Sequence, residues 1–118
     1  MAEKCASSAA AARQIPIRDI PARGRVHSGG YVESVTLVPV TEPPRFTAMV
    51  EDMGDAYREP GSRAPRSRVR LVWVGQRRVP GVDAGTRLAF EGMVSMVAGY
   101  PTVYNPRYEI IGRPENEK

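Results

Sequence analysis

The stretch from Arg68 to Gly81 reads RVRLVWVGQRRVPG and is the most informative part of the chain. Its first seven residues alternate, which predicts a β-strand whose apolar face carries Val69, Leu71 and Trp73. The opposite face carries Arg68 and Arg70. A second arginine pair follows at once in a Pro-Gly turn. The stretch therefore predicts a sheet protein with cationic side chains on one strand face.

Positive charge is concentrated around this strand. The segment Arg58–Arg78 contains seven arginines and one acid, Glu59, whereas the whole chain has a net charge of +4. The rest of the chain is therefore slightly acidic. A folded domain that localises positive charge is suited to a polyanion such as nucleic acid. A merely solvated basic face is the alternative interpretation.

The bulk composition narrows the class of protein. A chain of 118 residues with 42% hydrophobic and 25% charged residues is typical of a single soluble domain. No apolar run approaches the roughly 20 residues of a membrane span, and the start lacks the pattern of a secretory signal. We expect a cytoplasmic protein without a membrane partner. With one cysteine, Cys5, and one histidine, His27, we expect no metal site, no cofactor and no catalysis.

Alternating and β-rich patterns predict five strands. They cover about Arg25–Pro39, Arg45–Glu51, Arg68–Val74, about Arg87–Val97 and about Thr102–Ile111. Glycines inside the first and fourth strands indicate a sharp bend, a bulge or a close backbone approach, and Pro106 indicates a bulge or an edge in the fifth.

The predicted architecture is all-β with little or no helix. We expect a disordered tail over 1–14, an extended strap over 15–24 because of its prolines, a five-stranded closed barrel over 25–112 and a C-terminal tail over 113–118. Residues 53–67 form a long basic loop inside the barrel segment. Closure of the sheet would remove exposed edges. An SH3-like barrel is the competing architecture.

Several segments resemble the OB-fold, a five-stranded Greek-key barrel. The resemblance rests on Gly30–Val35, Met49–Asp52, Val69–Gly75, Gly75–Val82, Gly85–Leu88, Glu91-Gly92 and Asn105–Ile110. The chain is similar to a family of small actinobacterial OB-fold nucleic-acid-binding proteins. It is more distantly similar to the wedge domain of a branch-migration helicase and to the anticodon-binding domain of some aminoacyl-tRNA synthetases. It departs from the family in the long loop, where a short turn is usual.

The resemblance implies a ligand face on the second and third predicted strands, flanked by loops. Single-stranded nucleic acid needs cations for phosphates and flat side chains for bases. We therefore predict a nucleic-acid-binding site of Arg45, Thr47, Arg66, Arg68, Arg70, Arg77, Arg78 and Tyr100. Trp73, Phe46 and Phe90 are assigned to the core by alternation, and Tyr104 to the end of the barrel.

The predicted function is non-catalytic binding of single-stranded DNA or RNA, DNA being favoured, with low sequence specificity. The alternative is a protein-interaction module that serves as an accessory part of a repair or translation complex. A hydrolase with a metal held by Glu51, Asp52 and Asp55 is a third interpretation. The sequence leaves the oligomeric state open, a homodimer included.

Overall fold

The computed structural model describes residues 14–52 and 67–113, and these residues form an all-β structure. The strands are β1 (Gln14–Ile15), β2 (Gly24–Leu37), β3 (Arg45–Asp52), β4 (Arg68–Val74), β5 (Arg87–Val97), β6 (Tyr100–Tyr104) and β7 (Arg107–Gly112). One 3-10 turn, Ile17–Asp19, is the only helical element in the described ranges. The prediction of an all-β protein with little helix is confirmed. No helix of these ranges has the length and apolar character needed to span a bilayer.

The prediction of five strands is wrong in number, since the structure has seven. A two-residue β1 was not predicted, and the predicted fifth strand is divided into β6 and β7. The division falls at Asn105, whose φ of 52° is left-handed, and at Pro106, which has no backbone N–H. Asn105 continues the contact with β4: its N–H donates to the Val72 carbonyl (2.6 Å), and its Oδ1 accepts from Val74 N–H (2.9 Å).

Five of the strands are linked in a closed circuit of backbone pairings. β2 pairs with β3, β3 with β4, and β5 with both β6 and β2, all antiparallel, while β4 pairs with β6 in parallel. β1 is added to β2 in parallel, and β7 is added to β5 in antiparallel orientation. All seven strands therefore belong to one mixed sheet.

The long strand β2 makes this circuit possible because it has two sets of partners. Its first part, from Gly24 to Tyr31, pairs with β5, and its second part pairs with β3 from Gly30 onward. A Cβ atom on Gly30 would overlap the Glu51 carbonyl oxygen. The close approach of β2 and β3 therefore requires glycine, and a close backbone approach is one of the three interpretations that the sequence left open.

The core lies on the inner face of the sheet, where the alternation placed it. Trp73 is 3% exposed and packs against the rings of Phe46 and Tyr108, at centroid distances of 6.0 and 5.6 Å. Its indole N–H donates to the Pro106 carbonyl oxygen (3.2 Å), so the buried polar atom is satisfied. The other large buried side chains include Leu71, Leu88 and Phe90. The core assignments of Trp73, Phe46 and Phe90 are confirmed.

The N-terminal strap differs from the extended segment that was predicted for 15–24. Residues 17–19 form the 3-10 turn, and Ile17 is buried in the core. The buried Asp52 carboxylate holds this turn: Oδ1 accepts from Ile17 N–H and Oδ2 from the Arg18 guanidinium, both at 2.8 Å. The prolines exclude a regular helix, but this carboxylate stabilises a single tight turn.

Some predicted features lie outside the described residues. These are residues 1–13 of the predicted tail, with Cys5, residues 53–66 of the predicted loop over 53–67, with Asp55 and Arg66, and residues 114–118 of the predicted C-terminal tail. The described residues that precede and follow residues 53–66 are close together, because Asp52 N–H donates to the Ser67 carbonyl at 2.9 Å.

Candidate functional site

Most of the predicted site residues that the structure describes line one of two neighbouring clefts. The larger, which we name the arginine cleft, has a volume of about 500 Å³. It is lined by residues of β2, β3, β4, β6 and the β2–β3 loop: Thr36, Glu42, Pro43, Pro44, Arg45, Thr47, Arg70, Val72, Val74 and Tyr104. Three predicted residues, Arg45, Thr47 and Arg70, therefore share one cleft.

Strand register explains how the floor of the arginine cleft is built. Thr47 lies opposite Val72 on β4, and Val72 lies opposite Tyr104 on β6, so the three form a row across the sheet. Arg45 lies two residues from Thr47 on β3, and Arg70 lies two residues from Val72 on β4, on the opposite side of this row because the strands are antiparallel. At about 3.3 Å per residue, the two arginines are roughly 13 Å apart along the strand direction. The cleft is therefore a short track with a cation at each end.

The charges of the arginine cleft are available to a ligand. Neither Arg45 nor Arg70 forms an ion pair with the described residues, and Arg45 is exposed. One carboxylate, Glu42, also lines the cleft. Two guanidinium groups against one carboxylate leave the track with an excess of positive charge.

The second cleft, which we name the strap cleft, has a volume of about 410 Å³. It is lined by residues of the strap, the start of β4 and the β5–β6 hairpin: Ile17, Arg18, Ile20, Ser67, Arg68, Met96, Gly99, Tyr100 and Pro101. Arg68 and Tyr100 were predicted for the site, and both belong to this cleft. The predicted residues are thus divided between two clefts.

Arg68 and Arg70 differ in their partners although they share a face of β4. The Arg68 guanidinium is paired with Glu33, at 2.8 Å between Nε and Oε1 and 3.1 Å between Nη2 and Oε2. Arg70 instead lies over the ring of Tyr100, its guanidinium carbon 4.9 Å from the ring centroid. That geometry is a cation–π contact, which does not neutralise the charge of the guanidinium.

The arginine pair of the Pro-Gly turn lies in neither cleft. Arg77 donates to three carbonyl oxygens of the β2–β3 loop, those of Pro39 (3.2 Å), Val40 (3.3 Å) and Glu42 (3.0 Å). It therefore holds the loop that supplies Glu42, Pro43 and Pro44 to the arginine cleft. Arg78 is exposed and makes no hydrogen bond or ion pair within 14–52 and 67–113.

Sequence reasoning missed Tyr104 as a residue of the site. It was assigned to the end of the barrel, but it is 49% exposed and lines the arginine cleft. Tyr104 reaches the cleft because β6 pairs with β4 in parallel. Alternation along a strand does not reveal which strands pair. The strap residues Ile17, Arg18 and Ile20 were missed for the same reason, because their contacts are distant in sequence.

The carboxylates considered for a metal have other surroundings. The Asp52 carboxylate already accepts hydrogen bonds from Ile17 N–H and the Arg18 guanidinium, and Glu51 is only 7% exposed. Among the described residues, no three histidine, cysteine, aspartate or glutamate side chains form a group that could hold a metal ion.

No protein-family model matches this chain, and no curated protein matches its sequence.

Proposed function

We propose that β2, β3, β4, β6 and β5 form an OB-fold barrel that binds single-stranded nucleic acid without catalysis, DNA being favoured over RNA. The closed circuit of pairings supports the barrel, because closure leaves these five strands without an open edge between them. The parallel β4–β6 pairing inside an otherwise antiparallel circuit supports a Greek-key order rather than a simple meander.

The arginine cleft is the observation that carries the functional proposal. Arg45, Arg70 and the aromatic ring of Tyr104 line the same cleft, and neither arginine is neutralised by a described acid. Cations for the phosphates and a flat ring for a base are the two requirements of single-strand binding. A cleft of this volume accepts a ligand of small-molecule size, which suits an extended strand with unpaired bases.

The proposed mechanism combines counterion release with stacking. Phosphates approach the two guanidinium groups, while a base lies on Tyr104 above the Thr47–Val72 floor. These contacts involve the sugar-phosphate backbone of the nucleic acid and the flat face of a base, and both are present whatever the nucleotide sequence. The expected binding therefore has low sequence specificity and strong salt dependence.

Salt titration tests the proposal. Binding of a labelled oligothymidylate of about ten nucleotides is measured by anisotropy between about 50 and 200 mM salt. Arg45→Ala should reduce the slope of log K against log salt by about 0.7, the value for one phosphate on a single strand. Arg23→Ala is the matched control, because Arg23 is exposed and lines neither cleft.

The outcomes separate the proposal from its alternative. Equal slopes for both variants would remove the arginine cleft from the interface. Absence of binding at low salt would favour the protein-interaction module instead. Competition with an oligouridylate of the same length tests the preference for DNA over RNA.

A further inference from the structure

The strap cleft is a second concavity directly beside the proposed track. Tyr100 lines it, while Arg70, stacked on the Tyr100 ring, lines the arginine cleft. The Arg70–Tyr100 stack is therefore the wall that the two clefts share. A ligand that contacts Arg70 in the arginine cleft is therefore next to the strap cleft.

The two clefts differ in the charge that they present. Both arginines of the strap cleft are paired, Arg18 with Asp52 and Arg68 with Glu33, each at 2.8 Å. Its other walls combine apolar side chains, those of Ile20, Met96 and Pro101, with polar surface. Phosphate gains little in such a place, because each cation already has a carboxylate. A flat group with polar edges suits it better.

The strap cleft is also a built feature rather than a gap between loops. Its strap wall is held by the buried Asp52 carboxylate, which binds both Ile17 N–H and the Arg18 side chain. Its opposite wall is a tight hairpin, in which Ala98 and Gly99 have φ values of 53° and 85°. The Thr102 hydroxyl donates to the Tyr100 carbonyl (3.0 Å) and braces that hairpin.

From this arrangement we infer that the strap cleft is a subsite for an unpaired nucleobase of the same strand. The phosphate beside that base contacts Arg70, and the base itself enters between the strap and the β5–β6 hairpin against Tyr100, Met96 and Pro101. This inference rests on the proposed function and adds a second subsite to it. The arginine cleft binds the phosphate backbone of the strand and one base, and the strap cleft binds a further base.

The test uses two methionines of the same strand. Met96 lines the strap cleft and is 50% exposed, whereas Met93 is 60% exposed and lines neither cleft. Met96→Glu and Met93→Glu change the net charge equally, and both replace exposed side chains. Circular dichroism and thermal unfolding verify that each variant is folded before binding is compared.

Affinity is measured for oligothymidylates from two to about ten nucleotides. For the wild type and Met93→Glu, affinity should increase when the strand becomes long enough to enter the strap cleft, by about ten-fold for one added stacked base. Met96→Glu should bind the shortest oligonucleotides like Met93→Glu and lack this increase. An oligonucleotide that is long enough to reach the strap cleft, but has an abasic nucleotide at the end that enters it, should also lack this increase in affinity.

Failure of the inference is distinguishable from failure of the proposed function. If short and long strands bind, and Met96→Glu follows Met93→Glu at every length, then the strap cleft is not a base subsite although the arginine cleft still binds. If no strand binds the wild type at any length, the proposed function fails, and the subsite fails with it.

Discussion

The arginine cleft and the strap cleft meet at one side-chain stack, yet they use the same residue type in opposite ways. In the arginine cleft, Arg45 and Arg70 have no acidic partner among the described residues. In the strap cleft, Arg18 and Arg68 are each bound to a carboxylate. Each of these arginines adds one positive charge to the protein, but only those without a carboxylate partner can offer that charge fully to a ligand.

Removal of the Asp52 carboxylate should have the largest effect, on stability and on the strap cleft together. Asp52→Ala leaves Ile17 N–H without its acceptor in a buried place and releases the Arg18 side chain, which is 60% exposed. We expect a loss of about 2–3 kcal/mol in the free energy of unfolding, as for a buried hydrogen-bonded charge. Urea unfolding measures this loss. Asp19→Ala, an exposed acid of the same strap, is the control, and equal stability of the two variants would contradict the role given to Asp52.

The next largest effect should distinguish the two arginines of β4. Arg70→Ala should weaken oligonucleotide binding about ten-fold or more, because hydrogen bonds to charged groups are worth about 1.5–3 kcal/mol. Arg68→Ala should weaken it much less, since the Arg68 charge is already neutralised by Glu33. Anisotropy at low salt measures both. A larger loss for Arg68→Ala than for Arg70→Ala would reverse the assignment of the two clefts.

Arg77 and its neighbour Arg78 provide a smaller effect of a different kind. Arg77→Ala removes three hydrogen bonds to the β2–β3 loop, and their exposure limits the expected loss of stability to about 1 kcal/mol. The salt slope should remain unchanged, because the guanidinium binds carbonyls of its own chain. Arg78→Ala is the matched control and should leave stability unchanged. A reduced salt slope in Arg77→Ala would instead support the phosphate contact predicted from sequence.

Much of the fold follows from patterns that are local in the chain. The predicted strand bounds for β4 and β5 are those of the structure, and that for β3 differs by one residue, because alternation is read directly along each strand. The division of β6 from β7 was not predicted, since it depends on a left-handed Asn105 whose backbone and side chain both contact β4. The close approach at Gly30 was among the predicted possibilities, because a glycine inside a strand is typical of such a position, and here a Cβ atom would overlap the Glu51 carbonyl oxygen.

The candidate site was predictable only in part, for a related reason. Alternation within each strand, together with the resemblance to the OB-fold, placed Arg45, Thr47 and Arg70 on one face, and the structure places them in one cleft. It did not reveal that Glu33, 35 residues away in sequence, binds Arg68. Nor did it bring Tyr104 beside Val72, since that contact needs the parallel pairing of strands distant in sequence. Charge and face are local properties, whereas the availability of a charge depends on tertiary partners.

The smallest predicted effect tests whether neutralisation alone separates Arg68 from Arg70. Glu33→Gln keeps a hydrogen-bond acceptor near Arg68 but removes the negative charge, so the Arg68 guanidinium becomes available to a phosphate at the edge of the strap cleft. For a strand long enough to reach it, we expect affinity to increase about three-fold at low salt and the salt slope to steepen by about 0.7. Glu91→Gln makes the same charge change at a residue that pairs with Arg25 (3.3 Å) and lines neither cleft. If both variants gain equally, the increase reflects net charge alone. If Glu33→Gln gains nothing, the strand does not pass Arg68, and the difference between the clefts lies in their position rather than in their ion pairs.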